Sequence, residues 1–73
     1  MDCKYILIQK TYSSEDKSHT SYGIAAVDHK QRIVSAAEEL SSNESKVAEL
    51  VIMCNEMKLS LVHFWDVVED FLN

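Results

Sequence analysis

The sequence predicts an α+β domain: a three-stranded antiparallel β-meander followed by an αα-hairpin packed on one face of the sheet, in the order β-β-β-α-α. Three observations lead there. The first half holds three short runs of β-branched, aromatic and small apolar residues separated by polar stretches. The second half instead carries apolar residues at three- and four-residue spacing. The connections are short, which favours pairing between neighbours in sequence. The 73 residues suffice for one domain, 1–73, and not for two.

Residues 4–12, KYILIQKTY, have strand-forming tyrosines and isoleucines and no breaker, and form the first predicted strand. SSEDKS follows as an expected loop. YGIAAV at 22–27 is the second strand, DHKQ a polar turn, and RIVSAA at 32–37 the third. Ala25, Ala26, Ala36 and Ala37 are weak strand formers. With Gly23 on the middle strand, they would let a helix lie close to the sheet. Ser41 with Glu44 fits a capping box for the first helix, with Ser42 as the alternative cap. Val47, Leu50, Val51, Cys54 and Met57 then recur as one buried stripe. The chain turns at Lys58 and Leu59, and Ser60 is the expected cap of a second helix beginning at Leu61. Leu59 and Phe64 flank it as a hydrophobic staple. On that helix, Leu61, Phe64, Trp65, Val67, Val68, Phe71 and Leu72 share an arc of roughly 160°, the expected core face.

Composition narrows the function classes. The apolar fraction of 47% and charged fraction of 26% are those of a globular chain. A domain this small buries only about 60% of the surface its unfolded chain exposes, which leaves little volume for an internal active site. With no phosphate-cradling glycine loop and no base placed beside Ser13, Ser14, Ser41 or Ser42, the expectation is a non-enzymatic protein without a cofactor. The net charge of −5 is unevenly spread. Residues 1–37 hold five basic and four acidic side chains, a balance of +1, whereas residues 38–73 hold two and eight, a balance of −6. Nucleic acid and anionic membrane both require a basic surface, so neither is an expected partner. Cys3 and Cys54 lack zinc-site spacing, and Cys54 falls on the helical stripe as a small hydrophobe. No apolar segment approaches the ~18 residues of a membrane span, nor is there a signal-peptide pattern. A soluble cytoplasmic protein is expected.

Two surfaces then call for a reason. The first strand is apolar on both faces, with Tyr5 and Leu7 pointing one way and Ile6 and Ile8 the other. In meander order it is also an edge strand, open to further pairing. Ile52 adds to this apolar surplus, about 140° from Val47 and off the buried stripe. The other surface is the outer side of the second helix, where His63, Asp66, Glu69 and Asp70 gather, with Trp65 at the boundary. Asp66 and Asp70 are like charges four apart, costing about 0.2–0.5 kcal/mol, and Glu69 and Asp70 lie where the helix dipole favours cations. Lys4, Lys10 or Arg32 reaching across from the sheet would compensate, as would a basic partner. His63 and Asp66 share a face, but Asp70 is about 10 Å from the histidine along the helix, a poor start for a metal site.

The blocks SYGI at 21–24, MCNEMKLS at 53–60 and DVVEDFL at 66–72 carry a resemblance. In that order and spacing, the chain is similar to a family of short uncharacterised proteins, a domain of unknown function, from clostridia and related Firmicutes. The resemblance covers most of residues 20–72 and leaves the first strand outside. It implies a small bacterial intracellular protein and no assigned activity.

From the residues themselves, the leading expectation is a self-associating interaction module, a homodimer formed through the first strand or an apolar sheet face, with the acidic helix side for a basic partner. The alternative is a small-ligand or divalent-metal sensor built on His63, Asp66 and Asp70.

Overall fold

Backbone pairing between the first two strands runs the whole length of both. In the computed structural model, which describes residues 3–73, β1 spans Lys4–Ser14 and β2 spans Lys17–Val27. Their register runs antiparallel from Lys4↔Val27 to Ser14↔Lys17. The SSEDKS segment is therefore not a loop. It is strand on either side of a two-residue turn at Glu15 and Asp16, where Glu15 takes the left-handed φ of 53° that reverses the chain. Polar residues hold this extension by cross-strand pairs: the Thr11 and Thr20 hydroxyls lie 3.0 Å apart, and the Tyr12 and His19 rings 5.6 Å apart. Such pairs stabilise a ladder much as apolar ones do, but they leave no apolar alternation to read.

β3 spans Ile33–Ser41, and the order β1-β2-β3 is the predicted meander. The turn before it is built on Asp28, whose carboxylate accepts the backbone N–H groups of Lys30 and Arg32 at 2.9 and 3.0 Å and the Arg32 Nε–H at 3.1 Å. The Arg32 N–H above all, with the Lys30 N–H and the guanidinium, holds that carboxyl below its usual range against the opposing effect of burial. The stability it contributes is thus present above the ordinary aspartate range and lost as pH falls through the lowered folded value.

β3 departs from simple pairing twice. Val34 is an extra residue between the Ala26↔Ser35 and Val27↔Ile33 pairs, and Glu38, Glu39 and Leu40 bulge out between Ile24↔Ala37 and Tyr22↔Ser41. At the second bulge Glu39 adopts a φ of 57°. A Cβ on Gly23 would overlap the Ala37 carbonyl oxygen and stand 3.0 Å from Glu38 Cα. Gly23 therefore makes room for the β3 bulge, and not for a helix as its place in the sequence suggested.

The helices lie on one face. Tyr5, Ile24, Ala26 and Ala37 form the sheet side of the core, and their pairing register places all four on the same side. Against them pack Leu50 and Cys54 of α1, Glu44–Glu56, and Phe64 and Val68 of α2, Phe64–Leu72. Of the four alanines expected to let a helix lie close, Ala26 and Ala37 stand on the helix side, whereas Ala25 and Ala36 pair in the row of Ile6 on the opposite face. Burial pushes the Cys54 thiol up, in keeping with a small inert hydrophobe.

The helix ends differ from the expected caps. Asn43, with extended φ and ψ, is the N-cap of α1; its side chain accepts the Lys46 N–H at 3.3 Å, and Ser41 Oγ instead accepts the Asn43 N–H at 3.0 Å. Ser41 cannot cap because it is still paired in β3. At the other end the Lys58 N–H bonds to Asn55 O and the Leu59 N–H to Cys54 O, a Schellman closure with Lys58 at φ 52°. Met57 closes the helix and is exposed, so it drops out of the buried stripe. A 3₁₀ turn, Leu61–His63, precedes α2. Ser60 enters it through its carbonyl, which accepts the His63 N–H at 2.9 Å, and its side chain caps nothing. On α2 the buried stripe narrows to Phe64 and Val68, with Leu61, Val67 and Phe71 half-buried; Trp65 and Leu72 lie outside it.

The molecule measures 44 × 28 × 16 Å along its principal axes. A sheet and one helical layer account for the shortest dimension. Among the described residues, no layer covers the far face of the sheet.

Candidate functional site

The predicted edge surface divides once the register is known. Tyr5 is core: its side chain is 1% exposed and its ring stacks on Phe64 at 5.8 Å with 13° between planes. Its hydroxyl donates to Leu59 O at 2.8 Å. Burial, with Cys3 and Cys54 adding to it, holds the phenol above its usual range, so it stays a donor. Tyr5 thus has no side chain to offer a partner. Leu7 points to the same helical side, opposite Ile24, and remains partly exposed beside the core.

The Tyr5 backbone is occupied as well. Asn55, on the last turn of α1, accepts the Tyr5 N–H through Oδ1 at 2.8 Å and donates from Nδ2 to Tyr5 O at 2.9 Å. The side-chain amide takes the place a fourth strand would take, and closes the β1 edge at that residue. Every second residue beyond it, beginning with Leu7 and Gln9, still turns its N–H and C=O outward. Nothing in the sequence analysis singled out Asn55. The only signal was a polar amide, a modest helix former, beside the stripe residues Val51 and Cys54. Asn55→Ala is expected to cost about 1–3 kcal/mol through the two lost bonds to Tyr5. A urea midpoint within error of the parent's would show that water replaces the amide without loss.

Ile6 and Ile8 point to the open face. Ile6 stands in a row with Ala25 and Ala36, Val27 in a row with Lys4 and Ile33, and Ile8 beside Gly23. Ala25 and Val27 are nevertheless buried, while Ile33 is 60% exposed. An antiparallel sheet with one face in water ordinarily alternates apolar and polar, and this one does not. Charge flanks the apolar rows unevenly. Lys4 and Lys10 lie along the β1 side, and Glu38 on the β3 side, where it meets Lys10 at 3.7 Å with both side chains more than half exposed. A groove of about 280 Å³ opens where Ile8, Gly23, Ala36 and Glu38 meet.

The acidic residues of α2 are exposed, as expected. Asp66, however, falls in the first turn of the helix, because α2 begins only at Phe64, and there the dipole favours it. Glu69 and Asp70 remain in the last turn with no basic residue beside them. Of the cations that might have reached across, Lys10 is with Glu38 and Arg32 with Asp28; no ion pair among the described residues involves Glu69 or Asp70. His63 Nδ1 lies 3.6 Å from Asp66 Oδ2. Asp70 instead borders an apolar groove between the helices, with Met53, Met57 and Phe71. Trp65 is 52% exposed and set edge-on to Phe64 at 5.1 Å, and Ile52 is exposed off the stripe. Ile52 and Trp65 are not among the residues lining the open-face groove.

A family model for a family of unknown function, DUF6514, matches residues 1–73. The chain belongs to this family. The match extends through β1, which the resemblance drawn from the three sequence blocks had left outside. No curated protein and no solved structure matches the DUF6514 chain. No helix among the described residues is long and apolar enough to cross a membrane.

Proposed function

We propose that this DUF6514 protein is a non-enzymatic protein–protein interaction module that associates with itself through its sheet and offers the acidic side of α2 to a basic partner. The observation carrying this reading is the open sheet face: Ile6, Ile8, Ile33 and Ala36 form an apolar surface that no layer of the described residues covers. Burial of such a surface is the main favourable term in association. The balance of −6 over residues 38–73 supports a protein partner rather than nucleic acid or an anionic membrane. Two free cysteines, Cys3 and Cys54, support a reducing, cytoplasmic setting. The sensor alternative has only the His63–Asp66 pair behind it, since no group of three or more metal-ligating side chains occurs among the described residues.

The mass in solution, by light scattering behind a sizing column over a range of concentrations, tests self-association. A dimer that gives way to monomer only on dilution is the expected result, and a monomer throughout overturns it. For the helix, Asp66→Asn, Glu69→Gln and Asp70→Asn together should leave the fold intact while abolishing capture of a basic partner. Undiminished capture by that triple variant would remove the α2 half of the proposal.

A further inference from the structure

We infer that the open sheet face docks on the same face of a second copy, with the two-fold axis parallel to β2, so that β1 of one chain lies over β3 of the other. The inference rests on the self-association reading and adds its geometry. Only two kinds of two-fold axis can bring the face onto itself with the strands roughly aligned, as packed sheets prefer. One runs along the strands and sets β1 over β3. The other runs across them and sets β1 over β1.

Size decides between them. On the open face the β1 side is bulky, with Ile6 and Ile8, while the middle and β3 side are small at Gly23, Ala25 and Ala36. An axis along β2 places Ile6 over Ala36 of the second copy and Ile8 over the groove at Gly23. Large side chains then face small ones, the arrangement that fills an interface without voids. An axis across the strands would press isoleucine on isoleucine and leave alanine facing alanine. Ile33, the exposed exception on β3, lies over the aliphatic stem of Lys4 in the first arrangement, a contact lysine readily makes.

Charge points the same way by a separate route. Lys4 and Lys10 follow the β1 margin and Glu38 the β3 margin. The axis along β2 brings Lys10 to Glu38 of the second copy, and their half-exposed side chains are free to exchange partners between chains. The axis across the strands brings lysine towards lysine, and like charge at an interface selects against that pairing.

The test is Ala36→Ile, measured by light scattering and by sedimentation at several concentrations, with far-UV circular dichroism to follow the fold. An enlarged residue 36 meets Ile6 of the second copy, so the dimer dissociation constant should rise at least about tenfold. The compensating variant, Ile6→Ala with Ala36→Ile, should recover most of that loss. If Ala36→Ile does not fold, Ala36→Val carries the same test with a smaller addition. An unchanged or tighter dimer in the folded position-36 variant, or no recovery in the compensated one, overturns the β1-over-β3 arrangement while self-association stands. A parent protein that is monomeric at every concentration overturns both.

Discussion

Gly23→Ala is expected to destabilise the domain by about 1–3 kcal/mol, toward the upper end of what overpacking costs, because the added methyl meets backbone and not a side chain that can turn away. Strand propensity alone predicts the opposite sign. Glycine in an element interior costs roughly 0.5–1 kcal/mol relative to alanine, so the substitution would look favourable to any local rule. The contact outweighs the propensity here. The methyl would overlap the Ala37 carbonyl oxygen, and Ala37 is held by its pairing with Ile24 and by its own burial in the core. Gly23 does not have a positive φ, so the effect belongs to the β3 bulge and not to backbone strain at the glycine itself. Urea unfolding of the two proteins checks it. A variant as stable as the parent would mean that Glu38–Leu40 can shift aside and that the bulge is soft.

Phe64→Ala is expected to have the larger effect, about 3–5 kcal/mol, from lost apolar contact and the cavity left behind. Phe64 is 1% exposed, lies against Tyr5, and is the main anchor of α2 on the sheet. A 73-residue domain has a total stability of about 4–11 kcal/mol, so the loss is a large share of the whole and the variant should melt far below the parent. Trp65→Ala is the control. The two aromatic rings are neighbours in sequence and in contact, yet Trp65 is half in solvent and should lose less than about 1.5 kcal/mol. Thermal melts followed by far-UV circular dichroism separate the two cases. Equal losses would show that Trp65 closes the core and is not a surface residue available to a partner.

Several elements were legible because their signals are local. The period of the α1 stripe picked out Val47, Leu50 and Cys54, all of which are buried, and the α2 arc contained Phe64 and Val68, which are buried too. The β1 alternation correctly put Ile6 and Ile8 opposite to Tyr5 and Leu7. What failed locally failed for identifiable reasons. The hairpin extension through Ser13, Ser14 and Lys17 is polar, and polar strands give no apolar period. Met57 and Leu72 fit the helical arcs but lie at helix ends, Met57 as the C-cap of α1 and Leu72 as the last residue of α2, and both are exposed. Asn43 won the cap over Ser41 because β3 runs four residues further than its apolar run and keeps Ser41 in the ladder.

The candidate site was legible in outline and not in composition. An apolar surplus on the first strand and an acidic side on the second helix could be seen in the residue order. That Tyr5 belongs to the core, and that its edge is closed by an amide, could not. The Asn55–Tyr5 pair joins residues fifty apart, and no spacing rule links a helical asparagine to a strand backbone.

By itself, then, the sequence determined the order of strands and helices, the buried side of each helix and the two faces of β1. These follow from periods of about two and 3.6 residues, which the backbone imposes wherever it is regular. Only the tertiary structure decided that Gly23 serves a bulge, that Asn55 stands in for a neighbouring strand, and that both helices pack on the same sheet face. Each of those depends on which distant segment comes to lie beside a given backbone group, and that is settled by packing of the whole chain.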